Sequence, residues 1–462
     1  MKKIKLKIKT LLLGSVVGLS TCLLSSLLLS GCGSNKLKIS ILSHKPEIDK
    51  PLQELCRIYE QENPNIKIEL QSIGGGNDYE SNLLSKLNSK SVDMFCIEGL
   101  GNMMSIKSKL VDLTEMPLIK KCSSEILDPV TDENKKVYGF PVAIEGYGFM
   151  VNRAAFEAAG VDVAQIKSFA QFEESCKTLK DAVESGKIKN KFPNAKTVWK
   201  FPGKATWSFA NHALHVALAA DFKNSLEAYN SPNLAFTRAY DYKKLIDFQT
   251  AYSIEGEPNK DKIANLNAVD YSASFDGSFL VGQSFACQQG TWVMPQVEKY
   301  DKENKTAMMQ EVDLLPFFMP GDVDGGSKFV VLSGQNWAIS NSSSEKQIEL
   351  CKKFIEWLYS SEVAKEKMAN EMKLISPVVS VDDLKNFKFD NVSQRIVDSY
   401  LSGNYIKGGS VGLVRTEGWS LQVFGTAVQE YLAGKIPFEE VIKRAKNGWA
   451  EKYAAQVKTS SN

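Results

Sequence analysis

Apolar and polar residues alternate along this chain with two different periods, and the period switches from block to block. Leu37-Lys38-Ile39-Ser40-Ile41-Leu42 reads as a strand. Pro51 then opens a helix with Leu52, Leu55, Ile58 and Tyr59 on one face, and Asn63-Pro64 stops it. Ile66 to Leu70 alternates as a second strand. Gly74-Gly75-Gly76 marks a loop, Tyr79, Leu83, Leu84 and Leu87 form a second helical stripe, and Val92 to Ile97 is a third strand. This βαβαβ order predicts an α/β protein with a parallel sheet flanked by helices. Ligands of such sheets bind beyond the C-terminal strand ends. Those ends are the loops at Ser43-His44, 74–78 and 98–101.

Further along, 137–144 and 147–152 are extended, a helix spans 153–159 and ends at Gly160, and Ser168 caps the next one. The 198–285 region is rich in aromatics and Asn and reads as helical with loops. Ile348, Cys351, Phe354, Ile355 and Leu358 stripe another helix, and the last helices run roughly 420–434 and 437–455.

The N-terminus has a different logic. Lys2, Lys3, Lys5, Lys7 and Lys9 precede an apolar stretch from Leu11 to Leu29, the pattern of an export signal. Small and polar residues interrupt the stretch, which argues against a membrane span. It ends in Leu29-Ser30-Gly31-Cys32, similar to a bacterial lipobox. Residues 1–31 are therefore expected to be cleaved and Cys32 lipidated, with 32–36 as a tether and an anchored, extracytoplasmic location. An ordinary cleaved signal or an uncleaved anchor is the plainer alternative.

With 462 residues the chain is too long for one domain of about 100–200 residues. Loss of 1–31 takes the 56 basic residues to 51 against 54 acidic ones, near neutrality. With no basic run elsewhere, a nucleic-acid partner is not expected. Of eight cysteines, six lie scattered beyond Cys32 with no CxxC pair, so zinc spacing is absent.

The resemblance emerges once the pieces stand in order. Tyr59-Glu60-Gln61-Glu62-Asn63-Pro64-Asn65-Ile66, Ser91-Val92-Asp93-Met94, Tyr138-Gly139-Phe140-Pro141 through Asn152-Arg153, and Phe156 with Gly160-Val161 form the first half of the pattern. Ser168-Phe169 with Phe172, Phe279 with Gly282-Gln283, Gly290-Thr291-Trp292, and Phe354-Ile355 with Trp357-Leu358, Ser360 and Glu362 complete it. Together they resemble the family 1 extracellular solute-binding proteins, the carbohydrate-binding lipoproteins of ABC importers, over essentially the whole chain beyond Cys32. Ser91-Val92-Asp93-Met94 takes the place of that family's Pro-Asp-Val strand entry without the proline.

The resemblance implies a two-lobe fold with a ligand cleft between the lobes: 37–144 plus about 334–388, and 146–331 plus about 389–462. Crossings are expected near 144–146, 329–334 and 385–395. It also implies a carbohydrate ligand, a membrane permease as partner, a monomer, and no enzymatic activity. Sugars present hydroxyl rims and C–H faces, so their sites pair flat aromatics with planar hydrogen-bonding groups. Trp292 and Trp419 match stacking positions of the family, and Trp207 lies in an aromatic-rich segment. Loop and crossing positions add His44, Asp78, Glu98, Glu145, Tyr147, Asp276 and Gln335, and Arg415 beside Trp419 suits an acidic sugar. Core packing or a solvated loop is the plainer reading of each.

Other classes stay open. The same fold binds polyamines, iron complexes or acidic solutes, and an exported glycan-cleaving enzyme is a different class. A sensor kinase could replace the permease as partner. His212-x-x-His215 would place two imidazoles on one helical face, yet no third ligand stands out. No metal or cofactor is expected. Gly74–Gly76 lacks the Lys-Ser/Thr of a phosphate loop and reads as a tight turn.

Overall fold

The computed structural model describes residues 36–74, 77–322, 326–378, 384, 387–406, 411–415 and 418–460. Two of the candidate positions fall outside the described residues: Cys32, with the whole export segment, and the side chain of Asp78.

The parallel start is as the periodicity implies. Strands β1 (Leu37–Ser43), β2 (Ile66–Ser72) and β3 (Met94–Ile97) form one sheet, with β1 in the middle and parallel to both neighbours. Helices α1 (Asp49–Glu62) and α2 (Asn77–Asn88) are the crossovers. Leu52, Leu55, Cys56 and Tyr59 are the buried face of α1. β2 lies at the sheet edge and keeps an alternating burial pattern, whereas all four residues of β3 are buried. β3 starts two residues later than its sequence suggests. Asp93 leaves the strand pattern because its carboxylate accepts the Ser40 N–H (2.8 Å) and the Ser343 hydroxyl (2.6 Å). Helix α3 (Leu100–Ile106) follows β3.

The remaining strands are β4 (Phe140–Pro141), β5 (Glu145–Asn152), β6 (Ala286–Gly290), β7 (Val312–Leu315), β8 (Phe329–Leu332), β9 (Asn336–Ile339) and β10 (Tyr405–Ile406). They sort into two sheets. The first has the order β2-β1-β3-β9-β4, with β9 antiparallel to β3. The second has the order β10-β8-β5-β6, with β7 also on β5. All eight residues of β5 are buried, as befits a strand covered on both faces.

Each sheet is flanked by helices, which gives a two-lobe α/β architecture. α4 (Arg153–Ala159), capped by the Asn152 side chain, and α5 (Phe169–Glu184), capped by Ser168, belong to the second lobe. So do α6 (Ser225–Asn230) and α7 (Met294–Asn304). α8 (Glu345–Ser360) packs on β1, held at its start by a reciprocal capping box of Ser344 and Gln347. α9 (Asn391–Ser402) packs on β5, β7 and β8. Residues 391–395, the end of the third expected crossing, thus form the start of this helix. α10 (Thr426–Leu432) and α11 (Phe438–Ser460) close the chain. The 198–285 region contains two π-helical segments, Ser208–Ala213 and Phe275–Phe279, and a third spans Gly418–Gly425. Such segments carry one extra residue per turn and leave no simple sequence period.

Among the described residues no helix is long and apolar enough to cross a membrane. Cys56, Cys96, Cys122, Cys176, Cys287 and Cys351 are free thiols, five of them buried. Burial pushes Cys56, Cys96 and Cys122 up to about 12, so these act as small apolar groups.

Candidate functional site

The first lobe builds one wall from strand ends. β1 and β3 run parallel and β9 antiparallel beside β3, so the C-termini of β1 and β3 and the N-terminus of β9 share one edge. His44 follows β1, Glu98 follows β3 and Gln335 precedes β9. Their side chains meet. His44 Nδ1 lies 3.0 Å from Glu98 Oε1, and Gln335 Nε2 donates to the same oxygen at 2.7 Å. A carboxylate only accepts, so the imidazole and the amide both turn an N–H toward Glu98. His44 Nε2 and Gln335 Oε1 are buried with no hydrogen-bond partner among the described residues.

Tyr79, read from the sequence only as part of a helical stripe, fixes this wall. Its ring stacks on His44 at 4.0 Å. Its hydroxyl donates to the Cys96 carbonyl (2.8 Å) and accepts from the Cys96 N–H (2.9 Å), which pins α2 to β3.

The second lobe builds an aromatic wall. Trp292 follows β6, and its indole N–H donates to Gln289 at 2.8 Å. Gly290 has no side chain, and a Cβ there would strike the Trp292 ring, so the ring can lie against the strand end. His212 comes from the first π-helical segment. It stacks on Tyr147 (4.4 Å) and lies 5.1 Å from both Trp292 and Trp207. Gln288 holds its Nδ1 at 3.0 Å. Tyr271 continues the wall at 5.9 Å from Trp207. Trp292, Trp207 and Tyr271 are half-buried.

The two walls feel each other. Burial pulls the His212 imidazole down to about 4, while the Gln288 hydrogen bond and the Glu98 charge on the other lobe act in the opposite sense. His215 is pulled lower still, to about 3, by burial and by His212. Both rings are neutral at pH 7. Among the described residues no group of three His, Cys, Asp or Glu side chains is arranged to hold a metal ion.

The other sequence candidates fall elsewhere. Tyr147 is fully buried behind His212, with its hydroxyl donating to the His212 carbonyl (3.2 Å), so it backs the aromatic wall. Glu145 sits at the first crossing in a buried ion pair with Lys45 (2.6 Å), and a Cβ on Gly334 at the second crossing would strike its carboxylate. Lys45 also meets Glu47 at 3.2 Å, and these two carboxylates hold its ammonium above the usual lysine range despite burial. Asp276 accepts from Gln296 and from Ser272 (2.7 Å), and reaches the aromatic wall only through Gln296 and Tyr271.

Trp419 and Arg415 are not brought to this cluster. Trp419 is fully buried, its N–H bonded to the Ala445 carbonyl (3.0 Å) and its ring edge-on to Trp449 (4.9 Å). Arg415 is 2% exposed and donates to the carbonyls of Tyr229 (2.6 Å), Ala228 (3.1 Å) and Ser231. The residue types suited a sugar site, but distant helices supply their partners.

Tyr79, His212, Tyr271, Gln288 and Gln289 contact the candidates of the two walls or one another, and are not among the residues that the sequence singles out as ligand-binding. The adjacent pair Gln288-Gln289, immediately ahead of the Gly290-Thr291-Trp292 motif, was a visible signal for planar amides at a strand end.

Comparison with known proteins agrees with the two-lobe α/β fold. Residues 54–392 match the family described as bacterial extracellular solute-binding proteins. The multiple sugar-binding protein of Streptococcus mutans is 20% identical over 349 residues, which are 72% of this chain and 76% of that protein. Among solved structures, the solute-binding protein RafE in complex with raffinose has a TM-score of 0.66 at 17% identity, over 90% of this chain and all of that one. A maltose-bound solute-binding protein of T. maritima gives 0.64 at 15% identity, over 90% of this chain and 99% of that one.

Proposed function

We infer what this chain does from one premise: it belongs to the family of bacterial extracellular solute-binding proteins. Its task is then to capture a solute outside the cytoplasm, and no chemical step is asked of its residues. We propose that the solute is a sugar or oligosaccharide, gripped between the two walls and delivered to the permease of an ABC importer. The observation that carries this reading is the pairing of half-buried Trp292 and Trp207 on one lobe with the His44–Glu98–Gln335 set on the other. The rings suit the C–H faces of a pyranose, and the polar set suits its hydroxyls. His44 Nε2 and Gln335 Oε1 are buried polar atoms without a partner among the described residues, and a hydroxyl, which both donates and accepts, would satisfy them.

Uncharged sugars fit better than acidic ones. Arg415, the cation that would have favoured a uronic acid, is engaged by helix carbonyls, and Lys45 is engaged by two carboxylates. Glu98 would repel a second carboxylate. The lipobox-like Leu29-Ser30-Gly31-Cys32 supports a chain tethered by lipid at Cys32 to the outer face of the membrane.

The test is a thermal-shift and tryptophan-fluorescence screen of Gly33–Asn462 against neutral oligosaccharides, with uronic acids, polyamines and iron chelates as controls. A ligand at 100 times its dissociation constant should stabilise the chain by about 2.7 kcal/mol. A shift with polyamine or iron alone would leave the family intact and reject the sugar.

A further inference from the structure

Arg415 holds two pieces of the second lobe together. Its guanidinium donates to Ala228, Tyr229 and Ser231, carbonyls at the C-terminal end of α6, and to Gln456 Oε1 of α11 (2.9 Å). It lies 4.4 Å above the Trp449 ring and 5.2 Å from Tyr453. A planar fork meeting converging carbonyls at a helix C-terminus is a geometry that lysine cannot reproduce. Segment 411–415 is thereby fastened to α6.

Both pieces also rest on the first lobe. The Ser225 N–H at the start of α6 donates to Asp128 Oδ2 (3.0 Å). Leu413 and Val414 lie on the loop and first turn that follow Glu98. A Cβ on Gly101 would stand 2.6 Å from the Val414 carbonyl oxygen and 2.7 Å from that of Leu413. A Cβ on Gly99 would stand 2.6 Å from the Leu413 Cβ. The Gly101 obstacles are backbone atoms, so no rotamer change makes room. Gly101 has no positive φ, so its backbone does not need glycine. The approach of the other lobe does.

We propose that α6 and segment 411–415 form one jaw, which Arg415 rigidifies, and that its seating on Gly99, Gly101 and Asp128 stabilises the closed form of the protein beside Glu98. Arg415 is a positioning residue in this scheme and touches no ligand. The inference rests on capture by lobe closure. Contacts made only when the lobes meet shift the open–closed balance, and a binder loses affinity in proportion to the closed fraction it gives up.

Gly101→Ala and Gly101→Val test it. Gly101 lies in the first turn of α3, where alanine favours the helix, so the ligand-free melting midpoint of Gly101→Ala should stay level or rise. Small-angle scattering should still give it a larger radius of gyration than the parent, and Gly101→Val a larger one again. Affinity for the sugar found by the screen should fall about ten-fold in Gly101→Val. Arg415→Lys should fall less, about three-fold, with the tryptophan fluorescence change at saturation retained. Equal radii for the parent and both Gly101 variants without ligand would overturn the jaw. If no sugar binds the parent, the sugar reading fails while the ligand-free radii still decide the jaw.

Discussion

Trp292 and Trp419 are the same residue type in two neighbourhoods that look alike in sequence and differ in consequence. Trp292 gives its N–H to a side chain, Gln289, and keeps part of its ring open beside His212. Trp419 gives its N–H to a main-chain carbonyl and is closed in by Trp449 and Phe424. A buried indole must place its donor somewhere. Fixed to the backbone between two helices, it cements a core. Fixed to a neighbouring amide at a strand end, it leaves a flat apolar face for something else.

The contrast is broken most easily at Trp419. Trp419→Ala should cost about 3–5 kcal/mol of stability by chemical denaturation, while the folded fraction binds sugar with unchanged affinity. Trp292→Ala should do the reverse. It should cost about 2 kcal/mol of binding free energy by calorimetry and leave the ligand-free melting midpoint nearly in place. If the two variants exchanged effects, the assignment of wall and core would be inverted. Glu98→Gln keeps the shape of the opposite wall and removes its charge. It should weaken a neutral sugar by about 1.5 kcal/mol and narrow the gap to the corresponding uronic acid.

Acid gives a smaller effect that separates the two neighbourhoods again, because His212 touches the Trp292 wall. Burial holds His212 near 4 and His215 near 3, against 6.5 for an unburied imidazole. A folded value below the unfolded one means stability that is complete above about pH 6.5 and is lost as pH falls toward 4. The melting midpoint should therefore decline from pH 7 to 5, and His212→Gln should flatten that decline. Equal slopes for parent and variant would show that His212 is not held neutral by burial.

Much of the first lobe was legible, because two-residue and helical periods survive in β1, β2 and the stripes of α1 and α2. The shared edge of β1 and β3 follows from the βαβαβ order, so His44 and Glu98 could be placed near each other without coordinates. Trp292 and Gln335 rested on the family resemblance. The rest depended on packing between distant residues. Nothing near Trp419 announces Ala445, and nothing near Arg415 announces Ala228 and Tyr229. Tyr147 sits on a strand buried on both faces, where alternation says nothing about which side meets a ligand. His212 and His215 read as a helical pair, but the π-helical turn widens the spacing. One ring reaches the wall and the other the core.

The place of β9 in the first sheet bears on how the chain can fold. β9 lies between β3 and β4 and pairs Trp337 with Cys96, about 240 positions earlier. The first lobe therefore cannot close on itself as an N-terminal fragment. Until residue 339 arrives, the wholly apolar Met94–Ile97 keeps an open hydrogen-bonding edge. Folding must wait for most of the chain, and loop closures of that length are slow. A newly made molecule thus carries that apolar strand edge uncovered until β9 arrives, at risk of pairing with its own kind.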